Sequence, residues 1–122
     1  MDRQMFRQLV AEAIDALPAE FRERLANIDV VVEDWPDTAV LQKAGHQRPA
    51  DLLGFYQGVP QTRRTRHYGL VLPDKISIFR RPIEMRCRTR EEVRGLIAHV
   101  LRHELAHHFG IGDARLRELD AY

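Results

Sequence analysis

His103, Glu104 and His107 stand as H-E-x-x-H near the C-terminal end of a 122-residue chain. Four residues apart on a helix, the two histidines project from one face with their rings close enough to share an ion. A pair of neutral imidazoles suits zinc, and a glutamate beside the first of them can act as general base without being a ligand. Zinc wants a third protein ligand and keeps its fourth position open. Gly110 lets the backbone turn after the helix, and Asp113, six residues past His107, can swing back to offer a carboxylate oxygen. The whole pattern is H-E-x-x-H-x-x-G-x-x-D. In a random ordering of this composition, H-E-x-x-H alone arises in about two chains per hundred, and the long pattern in about one per ten thousand.

The remaining candidates carry less. Asp113 also has the position of an N-cap for a short last helix. His99 lies eight residues before His107, roughly 12 Å along a helix axis, and cannot join its ion. His108 points roughly 100° away from His107 and reads as a packed side chain. His46 and His67 fall in loops without partners. Cys87 reads as a buried, inert thiol. Tyr56, Tyr68, Tyr122 and several arginines are equal candidates to stabilise a developing oxyanion.

These groups need elements to hold them. Thr89 to Glu92 is a T-x-x-E capping box, followed by Val93, Leu96, Ile97, Val100, Leu101 and Leu105 at helical spacing. One helix from about Arg90 to Phe109, stopped by Gly110, accounts for all of them. Residues 2 to 17 predict an amphipathic helix, ended by Pro18, which opens a short second one. IDVVVED, 28 to 34, predicts a strand; 36 to 49 a loop; 51 to 58 a strand with a glycine bend; 59 to 69 an irregular stretch; 75 to 81 another strand. Residues 114 to 122 can make two helical turns with Leu116 and Leu119 inward. Helices, then strands, then helices is an α+β layout, with N-terminal helices, a small mixed sheet and a long C-terminal active-site helix.

The length fits a single domain over 1–122. A near-neutral balance of 19 basic and 18 acidic residues argues against a nucleic-acid partner. One cysteine cannot form an internal disulfide, which suits a reducing compartment and points to the cytoplasm. The N-terminus lacks the uninterrupted apolar run of a signal peptide or membrane span.

With HELAHHFGIGD, the segments LLGFYQGVP, LPDKISIFRRPIE and CRTREEV make the chain resemble the minimal zincin-like metallopeptidases of bacteria, a metzincin-like branch with aspartate in place of the third histidine. The resemblance implies a compact zincin-like domain in which the motif helix packs on a small sheet. It also implies His103, His107 and Asp113 as ligands of one zinc per chain, with Glu104 as general base. The expected activity is peptide-bond hydrolysis on a peptide or protein substrate, which could add as a strand to an exposed edge such as 75 to 81. A metzincin carries a methionine turn after its third ligand; here nine residues follow Asp113 and none is methionine, while Met85 precedes the motif. Two other readings share the residues. A metal-dependent endoribonuclease has H-x3-H-x5-H spacing, matched here by His103, His107 and Asp113, and a catalytically silent zincin scaffold would bind a partner without turning it over.

Overall fold

The computed structural model describes residues 1–46, 48–58 and 73–110. Helix α1, Arg3–Asp15, is started by Asp2, whose carboxylate accepts from the Met5 N–H at 2.7 Å. It buries Phe6, Leu9, Val10 and Ala13 along one stripe. Helix α2, Ala19–Leu25, begins behind Pro18 and adds Phe21 and Leu25 to the same core. Strand β1, Ile28–Glu33, follows.

Helix α3, Thr38–Ala44, occupies the stretch expected to be a loop. Asp37 caps it through the Val40 N–H at 2.8 Å, and Gly45 ends it in the left-handed region at φ 76°. A single 3-10 turn, Pro49–Asp51, leads into strand β2, Gly54–Gln57, which is shorter than the expected 51 to 58. Strand β3, Asp74–Phe79, stops two residues earlier than expected because helix α4, Arg80–Glu84, starts directly after it. Arg80 explains the switch. Its buried guanidinium donates to the Asp34 carboxylate at 3.0 Å, to Glu84 at 3.3 Å and to the Met1 carbonyl at 2.8 Å, contacts that gather the end of β1, α4 and the N-terminus. Arg80 holds the Asp34 carboxyl below the usual carboxylate value.

Helix α5, Arg90–Phe109, has the predicted bounds. The Thr89 hydroxyl accepts from the Glu92 N–H at 3.1 Å, and the Glu92 carboxylate accepts from the Arg88 N–H at 2.7 Å. Gly110, at φ 66°, closes the far end. The expected last helix, 114 to 122, and the irregular stretch 59 to 69 lie outside the described residues.

The sheet order is β1-β3-β2, with β1 parallel and β2 antiparallel to β3. This corrects the strand expected to receive substrate: β3 has neighbours on both sides, so its backbone groups are spent. Ile76 and Ile78 point from β3 towards α1 and α5 and share the main core with Phe6, Ile97, Leu101 and Leu105. On the other face Phe79 packs with Val40, Leu41 and Leu52. Among the described residues no helix is long and apolar enough to cross a membrane.

Candidate active site

Strand β2 lies along α5, and the contact repeats. At Gly54 a Cβ would come within 2.5 Å of the Val100 Cγ1, so only glycine lets the strand approach this closely. Two residues on, the Tyr56 N–H donates to the Glu104 Oε2 at 3.2 Å. Two further, a Cβ at Gly58 would sit 3.7 Å from the His108 ring. Two strand residues advance about 6.7 Å and four helical residues about 6 Å, so every second residue of β2 meets every fourth of α5.

The hydrogen-bonding phase of β2 decides what Glu104 meets. Leu53 accepts from the Phe79 N–H at 2.9 Å and so turns its polar groups towards β3. By alternation Gly54 and Tyr56 direct theirs outward, to the edge that no other described strand covers. Glu104 thus stands between the histidine face of its own helix and the outer edge of β2. Burial pushes its carboxyl above the ordinary carboxylate value, against the opposing pull of the Tyr56 N–H, His107 and His103. A half-buried carboxylate held at one oxygen keeps its other oxygen available to exchange a proton.

Tyr56 is fixed at several points. Besides its backbone bond to Glu104, its hydroxyl donates to the Asp74 carboxylate at 2.6 Å, and its ring stacks on His108 with centres 3.7 Å apart and planes 18° apart. Phe109 meets the Tyr56 ring edge-on at 6.1 Å and carries the Arg24 guanidinium 4.5 Å over its own face. His108 is therefore packed on the strand, as the sequence predicts, and is turned away from the pair formed by His103 and His107. The oxyanion candidate Tyr56 has its hydroxyl on Asp74. Its part in the site runs through its N–H, and nothing in the sequence connects it to Glu104, 48 positions away.

His103 and His107 are exposed, with ring centres 5.7 Å apart and planes 22° apart. Two imidazoles bound at about 2.0–2.1 Å to one ion at a tetrahedral angle have centres about 5 Å apart. The pair stands within about 1 Å of that separation. Among the described residues no three His, Cys, Asp or Glu side chains gather as a metal site; Asp113, the expected third ligand, lies outside the described residues, as do His67, Tyr68 and Tyr122. His99 continues the row, 5.5 Å from His103 with planes 29° apart. His46 is exposed in the turn after α3. Cys87 is only half-buried, and burial pushes its thiol up. Met85 is 65% exposed and floors nothing.

No curated protein matches the chain. The family model for zincin-like metallopeptidases matches residues 25–122, from the last residue of α2 through the sheet and the whole of α5. With that match covering the sheet, the β2 edge and the histidine helix, the chain belongs to the zincin-like metallopeptidase family.

Proposed function

We propose that the chain is a zinc-dependent peptidase with His103, His107 and Asp113 holding one zinc per chain and Glu104 as general base. The observation that carries this is the placement of the Glu104 carboxylate between the paired imidazoles and the outward edge of β2. Zinc, when bound, supplies a Lewis acid that polarises a carbonyl and brings the pKa of water towards about 7. With Oε2 held by the Tyr56 N–H, Glu104 takes the proton of the attacking water at Oε1 and returns it to the leaving amine nitrogen.

An extended peptide adds to the outer edge of β2, in place of the central strand 75 to 81, and pairs with the outward N–H and C=O of Gly54 and the C=O of Tyr56, whose N–H is held by Glu104. A strand edge beside Glu104 supports the peptide reading over the endoribonuclease one, since an extended peptide can pair with it. We take residues 1–122 as one domain working in a reducing compartment such as the cytoplasm, given the single Cys87.

Glu104→Gln tests the proposal. The variant is expected to retain the zinc content of the wild type while losing at least about 100-fold in hydrolysis of a peptide library. His107→Ala and Asp113→Ala are expected to lose the tightly held metal. Wild-type hydrolysis by Glu104→Gln would refute the base, and zinc retention by both ligand variants would refute the centre.

A further inference from the structure

The ring separations along α5 do not single out one pair. His99 and His103 stand 5.5 Å apart, His103 and His107 5.7 Å, with planes 29° and 22° apart. All three side chains are exposed on the same stripe of the helix. The separation that admits an ion between His103 and His107 is therefore matched between His99 and His103, on an element whose geometry is fixed by its backbone.

We propose that His99 and His103 form a second metal site for a late first-row divalent cation such as zinc or copper, overlapping the first at His103. The proposal rests on the zinc reading for the occupant of the first site, and on the ladder alone for the second. Two protein ligands hold an ion less tightly than three, so scarce metal fills His103, His107 and Asp113. Metal in excess gains the upper register, where His99 competes for the ring of His103. A neutral imidazole has one free lone pair, so filling the second register withdraws a ligand from the first. His99 thus sets an upper limit to the metal concentration at which the lower site stays complete. By the usual order of affinities copper takes the two-imidazole register more strongly than zinc.

The test is calorimetric titration of chelator-stripped protein with zinc chloride, checked by competition with a chromophoric zinc indicator. The wild type is expected to show one tight event and a second at least about tenfold weaker. His99→Ala, an exposed change to the best helix-forming residue, is expected to leave the tight event within about twofold and abolish the weak one. His107→Ala should lose the tight event and keep the weak one, and the His99→Ala/His107→Ala protein should show neither. A weak event in His99→Ala equal to that of the wild type would overturn the second site, as would a wild type that shows the tight event alone. A wild type lacking the tight event but keeping a weak one that needs His99 would support the ladder and refute the zinc peptidase reading, so the two failures are distinct.

Discussion

Replacing Gly54 with alanine puts a methyl group where β2 and α5 touch. The added Cβ would stand 2.5 Å from the Val100 Cγ1 and 3.1 Å from the Ser77 carbonyl oxygen. Carbon atoms settle at about 3.5–4.0 Å, so the shortfall against Val100 is about 1–1.5 Å. Valine in a helix is almost confined to one rotamer, and the 6% exposed Val100 has no room to turn. The strand must retreat instead. Overpacking of this kind costs about 1–3 kcal/mol, offset by up to about 1 kcal/mol from the stiffer unfolded chain. A net loss of about 1–2 kcal/mol follows, read as a fall of about 4–8 °C in Tm or as an earlier urea midpoint. Tyr56, two residues on, reaches Glu104 across 3.2 Å, so the same retreat breaks the bond that orients the proposed base. Hydrolysis should fall further than the unfolded fraction explains. Val100→Ala supplies the control: alone it leaves a void, but beside Ala at position 54 the void is partly filled. The double variant should therefore be at least about 1 kcal/mol more stable than the sum of the singles. Additivity within about 0.5 kcal/mol would refute the close approach of strand and helix.

Tyr56→Phe removes the 2.6 Å hydrogen bond to Asp74 but keeps the stack on His108 and the N–H to Glu104. It should cost about 1–2 kcal/mol in urea denaturation while zinc affinity stays at the wild-type value. Thr89→Ala deletes the N-cap of α5 and should cost about 1 kcal/mol, measured the same way; an unchanged midpoint would deny the cap its role. Asp34 has its pKa lowered chiefly by the hydrogen bond from Arg80, so its contribution is fully present above the unfolded value of about 3.9 and is lost as pH falls through the folded one. Asp34→Asn should accordingly flatten the fall in stability below about pH 4, and an unaltered acid limb would count against the pair.

Where several local signals agreed, the sequence was legible. Helix α5 has its cap at Thr89, its apolar spacing and its stop at Gly110, and each fixes the same bounds. Helix α3 escaped because seven residues with only Val40 and Leu41 buried show no period, although Asp37 and Gly45 mark both ends. Arg80 and Arg81 continue the alternation of β3, and although Pro82 limits the strand, the burial of Arg80 against Asp34 and Glu84 in a helix is not displayed by the sequence. Sheet order is set by non-local pairing, so the central place of β3 and the place of β2 at an edge of the described sheet were not readable. In the candidate site, His103, Glu104 and His107 share one helix face or its border and could be found by spacing. Tyr56 could be placed among the candidates by type, but the group it offers Glu104 is a backbone N–H, which every residue except proline owns and no motif can mark.

The matched steps of β2 and α5 work like a rack against a toothed shaft. Each tooth is two residues of strand or four of helix, and the small difference between the two steps accumulates to less than 2 Å over the contacts at Gly54, Tyr56 and Gly58. A one-residue insertion in the strand ahead of Tyr56 would turn its N–H inward, and one in the helix ahead of Glu104 would swing the carboxylate by about 100°. Glu104 and the strand edge beside it can therefore change partners only in whole teeth, which leaves side-chain substitution along the histidine stripe as the open route by which this candidate site can drift.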